Sequence, residues 1–173
     1  HIRGPKDSYG QHIDFGNKYV LLQYNYSEDS EGGFVEILGD NEYCTYRYNI
    51  SVNDGSRNTE GNTLWVSTWS TNNIPSNNSY IYNNSVYVGG DITPDIDIEA
   101  ANTYVYNNIF YVTDNAKIGE IYSVENTGGG VLTMDNNLFF GNVNSALSDL
   151  DEASIFANPR YHQPGMLNAK GYK

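Results

Sequence analysis

Short stretches in which acids alternate with apolar residues carry most of the chemistry this chain can offer. Gln11-His12-Ile13-Asp14-Phe15, Phe34-Val35-Glu36-Ile37-Leu38 and Asp95-Ile96-Asp97-Ile98-Glu99 each put carboxylates on the face opposite their apolar side chains. Two carboxylates on one face are enough to cleave a glycosidic bond. About 5 Å apart they act as nucleophile and acid/base, and about 6.5–9.5 Å apart they act through an intervening water. Strands stacked about 4.8 Å apart convert strand number into that separation. Asp14 with Glu36, one strand away, suits the retaining geometry; Glu36 with Asp95 or Asp97, two strands away near 10 Å, approaches the inverting one. His12 shares the face of Glu36, and Trp65 and Trp69 add an aromatic surface of the kind a sugar ring packs against. The polar loop Val52 to Asn62 carries Asp54 and Arg57 over these strands. The catalytic candidates are therefore His12, Asp14, Glu36 and Asp97, and the substrate-binding candidates are Asp54, Arg57, Trp65 and Trp69.

Other roles are open to the same residues. Outward acids on a stacked-strand surface are ordinarily just solvated, and the two tryptophans can pack beneath the insertion Ser70 to Asn78. Asp95, Asp97 and Glu99, or Asp29 and Glu31, are also oxygen donors for Ca²⁺, a cation that takes several such ligands. That arrangement belongs to a lyase, in which the cation neutralises a uronate and a base removes the proton α to its carboxylate; His12, Arg47 and Arg57 are the candidate bases, with Arg47 expected on another face. Otherwise no cofactor is implied.

These residues must be positioned by a repeat. Thr103-Tyr104-Val105-Tyr106-Asn107-Asn108-Ile109-Phe110-Tyr111-Val112 is its clearest copy, and the anchors Asn25, Asn49, Asn84, Asn108 and Asn137 stand 24, 35, 24 and 29 residues apart. Three residues before each anchor come Leu22, Tyr46, Ile81, Val105 and Met134, an inward column; two before come Gln23, Arg47, Tyr82, Tyr106 and Asp135, an outward one. Ile13, Ile37 and Ile96, twelve residues before their anchors, mark a second strand in each unit. Asn tolerates left-handed backbone, so the Asn column is expected at a corner, with its side chains hydrogen-bonded along the stack. That ladder outweighs glycosylation at the Asn-x-Ser sequons of Asn25 and Asn49. Stacked units bury a column that one unit cannot. The fold expected is all-β, a right-handed parallel β-helix of about five coils in one domain over residues 1–173, with coils in 11–142 and a C-terminal cap and tail in 143–173. The opening ten residues, with turn residues at Gly4-Pro5 and Asp7-Ser8, read as a loop, Phe15 as inward, Trp65, Ser67 and Trp69 as nearer solvent, and the tail beyond Arg160 as a polar end.

Composition agrees. Sixteen tyrosines with abundant Gly and Asn favour strands and turns. A net charge of -12 disfavours nucleic acid and anionic membrane as partners, and it repels a polyanionic substrate unless a cation mediates. No apolar run approaches about 18 residues, so no membrane-spanning helix is expected. Cys44, the one cysteine, sits in an inward strand position and reads as a small hydrophobe.

Tyr82-Asn83-Asn84-Ser85-Val86-Tyr87 and Asn137-Leu138-Phe139-Phe140-Gly141-Asn142 resemble the repeat of bacterial right-handed parallel β-helix proteins, a group rich in polysaccharide lyases and glycoside hydrolases. Glu31 to Gly39, Tyr46 to Gly55 and Phe156-Ala157-Asn158-Pro159 resemble the same group, so the likeness spans about Gln11 to Pro159. It implies a secreted protein, extracellular or periplasmic, with a polysaccharide or oligosaccharide as partner and a groove on the His12, Glu36, Trp65, Asp97 face. Glycoside hydrolysis is the leading expectation; a Ca²⁺-dependent lyase and a non-catalytic glycan-binding or structural β-helix are the alternatives. The resemblance also suggests a C-terminal fragment. With no cap evident over Ile13 and Val20, further coils of the same protein are expected at the N-terminal end.

Overall fold

The structure is a computed structural model and describes residues 2–4, 7–58, 60–126, 132–166 and 168–172. Its strands follow one another in repeating sets of three: β1 (Leu21–Gln23), β2 (Tyr26–Glu28) and β3 (Gly33–Ile37); β4 (Thr45–Arg47), β5 (Ile50–Val52) and β6 (Asn62–Val66). Next come β7 (Ser79–Tyr82), β8 (Ser85–Val88) and β9 (Asp95–Ala100); β10 (Thr103–Tyr106), β11 (Ile109–Val112) and β12 (Tyr122–Asn126); then β13 (Leu132–Asp135) and β14 (Leu138–Phe140). A short helix α1 (Ser145–Asp149), capped by the Asn144 side chain, and β15 (Ile155–Phe156) follow. Every third strand pairs in parallel, giving three sheets: β1-β4-β7-β10-β13, which bears the tyrosines; β2-β5-β8-β11-β14-β15; and β3-β6-β9-β12, which forms the groove. The chain is a right-handed parallel β-helix.

The inward columns are continuous. Leu22, Tyr46, Ile81, Val105 and Met134 are register partners in sequence, and all but the half-buried Leu22 are buried. Val35, Leu64 and Ile96, then Ile37, Val66 and Ile98, do the same on the groove sheet. Each large aliphatic side chain so buried contributes roughly 1.5–3 kcal/mol.

The Asn column is a buried hydrogen-bonded ladder. The backbone N–H and Nδ2 of Asn25, Asn49, Asn84 and Asn108 donate to Oδ1 of the next Asn at 2.9–3.1 Å, and each Nδ2 from Asn49 onward also donates to the carbonyl of Leu22, Tyr46, Ile81 or Val105. The corner itself differs from expectation. The left-handed residue is the one before the anchor, namely Tyr24, Tyr48, Asn83, Asn107 and Asn136, with φ between 54° and 58°. The anchor side chain must turn inward to reach its neighbours, so the residue before it absorbs the bend.

Four further expectations need correcting. Phe15 is 43 % exposed, because the strand ends at the Gly16 turn and its ring lies edge-on to Trp69 outside. Ser67 is buried, its backbone carbonyl accepting from Ser76 at the base of the insertion. The opening residues are more than a loop: Tyr9 bridges Gly33 and Ile13 bridges Ile37, so the chain from Tyr9 to Ile13 lies along β3 as a partial coil. Of the Gly4-Pro5 turn expected there, Pro5 lies outside the described residues. Finally, the tail is not a polar end. Tyr161 and Tyr172 fold back onto Tyr87 and Tyr111 on the outer side of the β2 to β15 sheet.

Candidate functional site

On the groove sheet the outward residues form one column. Ile13 bridging Ile37 sets His12 beside Glu36, and the register continues through Trp65 and Asp97 to Ser123. The four residues expected to share this face therefore do so, in chain order across four levels. Over the column's later half opens a cleft of about 530 Å³, walled by Tyr9, Trp65 and Trp69 and floored by Asp95, Asp97 and Glu99, with Arg57, Glu60 and Asp7 at its edge.

The aromatic wall comes from three places. Trp65 sits mid-strand in β6 and is half-buried because the Tyr9 ring stacks on it, centroids 6.0 Å apart and planes 29° apart. Tyr9 in turn rests over Gly32 and Gly33, where an added Cβ would lie 2.7–2.8 Å from its ring, and Asn62 Nδ2 donates to its hydroxyl at 2.9 Å. Trp69 opens the insertion that gives the 35-residue spacing and is 58 % exposed.

The acids differ sharply from one another. Burial pushes the Asp97 carboxyl up to about 6, helped by the negative charges of Glu99 and Glu125 and opposed by a hydrogen bond from Ser123. Near neutral pH a minority of Asp97 is protonated, which suits a proton donor. Asp95 is raised as well, first by burial, against the hydrogen bond its Oδ1 accepts from the Ile121 N–H at 2.9 Å. Glu99 Oε2 accepts from Thr68 Oγ1 at 3.0 Å. These residues occupy alternate positions of one strand, their α-carbons about 6.6 Å from each to the next. They do not close on a point, and among the described residues no three His, Cys, Asp or Glu side chains are grouped to hold a metal. Asp95, Asp97 and Glu99 thus fail to fit a Ca²⁺ centre, since separate bonds to Ile121 and Thr68 hold the outer two in place.

Glu36 departs most from expectation. It belongs to the outward column but is only 1 % exposed, enclosed between His12, Trp65 and the Tyr9 segment, and it does not line the cleft. Burial, followed by the charges of Asp7 and Asp14, lifts its carboxyl to about 8, so the protonated form predominates at neutral pH. Its nearest ionic partner is His12 Nδ1 at 3.5 Å. Asp14 is near enough for its charge to act on Glu36, but the two carboxyls differ in setting. Asp14 lies past Ile13 on the exposed rim, its Oδ1 accepting from the Phe15 N–H. Asp54 is buried, with Oδ1 accepting from the Ser30 N–H and Oδ2 from Ser51 Oγ, so it braces a corner and cannot reach a ligand. Arg57 does reach the cleft, with Nη2 on the Gly4 carbonyl at 2.7 Å and Nη1 4.0 Å from Glu60.

Tyr9 and Ser123 were missed. Tyr9 had a signal: it precedes Gly33 by the same 24 residues that separate Ile13 from Ile37. Ser123 is recognisable only through register. Chemically, the cleft offers ring faces for an apolar sugar surface, carboxylates that accept from hydroxyls, and one carboxyl able to give up a proton. Comparison with protein-family models, curated proteins and solved structures returns no match.

Proposed function

We propose that this β-helix binds a neutral oligosaccharide or polysaccharide in the Trp65–Trp69–Asp97 cleft and hydrolyses it, with Asp97 as the general acid. The observation that carries this reading is Asp97 itself, raised to about 6 on the floor of an aromatic-walled cleft. A general acid works best when its pKa lies near the working pH. Glu99, the largest charge influence on Asp97, stands two residues along the strand, and an α-carbon spacing of about 6.6 Å is compatible with carboxyls in the inverting range. It is the carboxylate placed to activate water. A neutral glycan is favoured over a uronate because Arg57 alone faces five carboxylates around the cleft, those of Asp7, Glu60, Asp95, Asp97 and Glu99. A secreted location fits this substrate class.

The test is a titration of tryptophan fluorescence and an assay of new reducing ends against xylan, mannan, β-glucan and dextran. Quenching together with reducing ends that vanish in Asp97→Asn supports the reading. Quenching without cleavage reduces the protein to a binding module, ultraviolet-absorbing unsaturated products make it a lyase, and no response to any of the four overturns the assignment.

A further inference from the structure

Each of the three sheets has an aromatic outer face, and the chain treats them differently. The N-terminal segment lays Tyr9 on the groove sheet, and the tail lays Tyr161 and Tyr172 on Tyr87 and Tyr111. On the β1-β4-β7-β10-β13 sheet eight tyrosines stand in two files, and among the described residues no segment of the chain lies across them. One file is stepped: Tyr19 pairs with Tyr43 and Tyr80 with Tyr104, at 5.2 and 5.1 Å, and the register sets Tyr80 beside Thr45, two residues along from Tyr43. The other runs from Tyr24 through Tyr48 and Tyr82 to Tyr106, with stacked contacts of 5.4 and 4.7 Å on either side of an edge-on one. Tyr19 and Tyr24 are 74 % and 72 % exposed.

Arg47 sits in the middle of this face. Its guanidinium lies 5.7 Å from the Tyr48 ring and 6.0 Å from that of Tyr82. Nε donates to Gln23 Oε1 at 2.8 Å and Nη1 to the Tyr82 hydroxyl at 3.0 Å. Of the five N–H donors of a guanidinium only these two are used, and among the described residues no carboxylate pairs with it. In a chain of net charge -12 an arginine held on two aromatic rings with donors to spare is an unusual local positive site. Among the described residues the hydroxyls of Tyr80, Tyr104 and Tyr106 have no hydrogen-bond partner, and successive coils advance by about 4.8 Å, close to one pyranose unit of an extended glycan.

We propose that this face is a second saccharide site, separate from the cleft, which takes a polysaccharide bearing anionic groups, carboxylate or sulfate, with Arg47 on the anion and the tyrosine hydroxyls and ring edges on the sugar. It rests on the carbohydrate reading only for the class of ligand. At about 0.15 M ionic strength the acids of the groove sheet are largely screened beyond about 8 Å, so they do not cancel a charge on another face.

Affinity electrophoresis at pH 7 in gels containing polygalacturonate, dextran sulfate or uncharged dextran tests it. Retardation is expected with polygalacturonate, dextran sulfate or both, which distinguishes the two anion sources, and not with dextran. Arg47→Gln should raise the concentration needed for half retardation about tenfold, the value of one charge-assisted contact. Tyr82→Ala should do likewise if it folds. Arg47→Gln, at a half-buried surface position, keeps the test decisive if it does not. Trp69→Ala should be retarded as strongly as wild type, so failure of the cleft assignment leaves this result unaffected. No retardation by either polyanion, equal retardation by dextran, or an unchanged Arg47→Gln overturns the proposal.

Discussion

Two buried carboxylates stand near opposite ends of this stack, in different columns, and they meet opposite fates. Asp151, 5 % exposed, follows Asn137 at the end of the ladder; its Oδ2 accepts from the Asn137 N–H at 2.9 Å and Nδ2 at 2.8 Å, in the place where the next Asn would offer Oδ1. Glu36, 1 % exposed, lies in the outward column of the groove sheet, and burial dominates its titration with no hydrogen bond opposing it. The ladder repeats one residue type and satisfies every buried amide. The other column runs His12, Glu36, Trp65, Asp97, Ser123, with no residue repeated and an acid left neutral. A column of identical residues is a packing device; a column that changes at each coil is where packing has been given up for something else.

The largest effect expected concerns Glu36. Its carboxyl titrates at about 8 folded against 4.5 for an unburied glutamate, so the folded state holds the extra proton between those values. Folding stability contributed by that proton is therefore full below about pH 4.5 and lost as pH rises to about 8, at roughly 1.4 kcal/mol per unit, or about 5 kcal/mol in all. Asp97 and Asp54, both raised to about 6, slope the same way over a lower window. The difference between wild type and Glu36→Gln isolates the Glu36 part. Urea unfolding should find the two equal near pH 4.5 and Glu36→Gln more stable at pH 8. Parallel pH curves would show that Glu36 is better solvated than its burial implies.

Next in size is the ladder. Asn84→Ala removes the Oδ1 that accepts two N–H groups of Asn49, and the Nδ2 that reaches Tyr46 and Asn108, leaving several buried groups unpaired. A loss of about 3 kcal/mol is expected. Asn25→Ala, at the half-buried end, removes only the Nδ2 bond to Asn49 Oδ1, keeps the one from the backbone N–H, and should cost about 1 kcal/mol. Equal costs at the two positions would mean that the ladder does not act through buried hydrogen bonds.

Chemistry comes third. With substrate identified, Asp97→Asn should lower kcat at least about a hundredfold while leaving saccharide quenching of tryptophan fluorescence in place. Activity in wild type should fall as pH rises past about 6, where Asp97 loses its proton. Activity rising through pH 8 would move the acid elsewhere.

What the sequence discloses follows the same division. The inward Leu22–Met134 column and the Asn ladder are readable because every coil solves the same packing problem with the same residue types. The shared face of His12, Glu36, Trp65 and Asp97 is readable because strand alternation alone fixes which side a residue takes. Depth is not readable that way. Alternation says that Glu36 points outward, but only the chain before it, bringing Tyr9 across Gly32 and Gly33, makes outward mean buried. Asp54 failed for a related reason: a polar loop in sequence became a corner whose serines claim both carboxylate oxygens. Asp95, Asp97 and Glu99 looked like a ligand set because they are close in sequence, yet extended backbone spreads alternate side chains rather than gathering them.

The smallest expected effect is the sharpest test of what the ladder requires. Its geometry asks the residue at each level for an oxygen that accepts from the level before, and Asp151 supplies that oxygen. Asp151→Asn retains it. The exchange replaces the second carboxylate oxygen, which accepts from the Ala153 N–H at 3.0 Å, with an amide N–H₂. In every earlier coil the corresponding Nδ2 donates to the carbonyl three residues before the preceding anchor, which here is Met134, already bridged to Asp151. One hydrogen bond is lost and another of the same kind gained, so Asp151→Asn should change stability by less than about 1 kcal/mol, while Asp151→Ala, which strands both Asn137 donors, should cost about 2 kcal/mol. A large loss in Asp151→Asn would mean that the stack ends on a negative charge because it needs the charge, and not because it needs an acceptor.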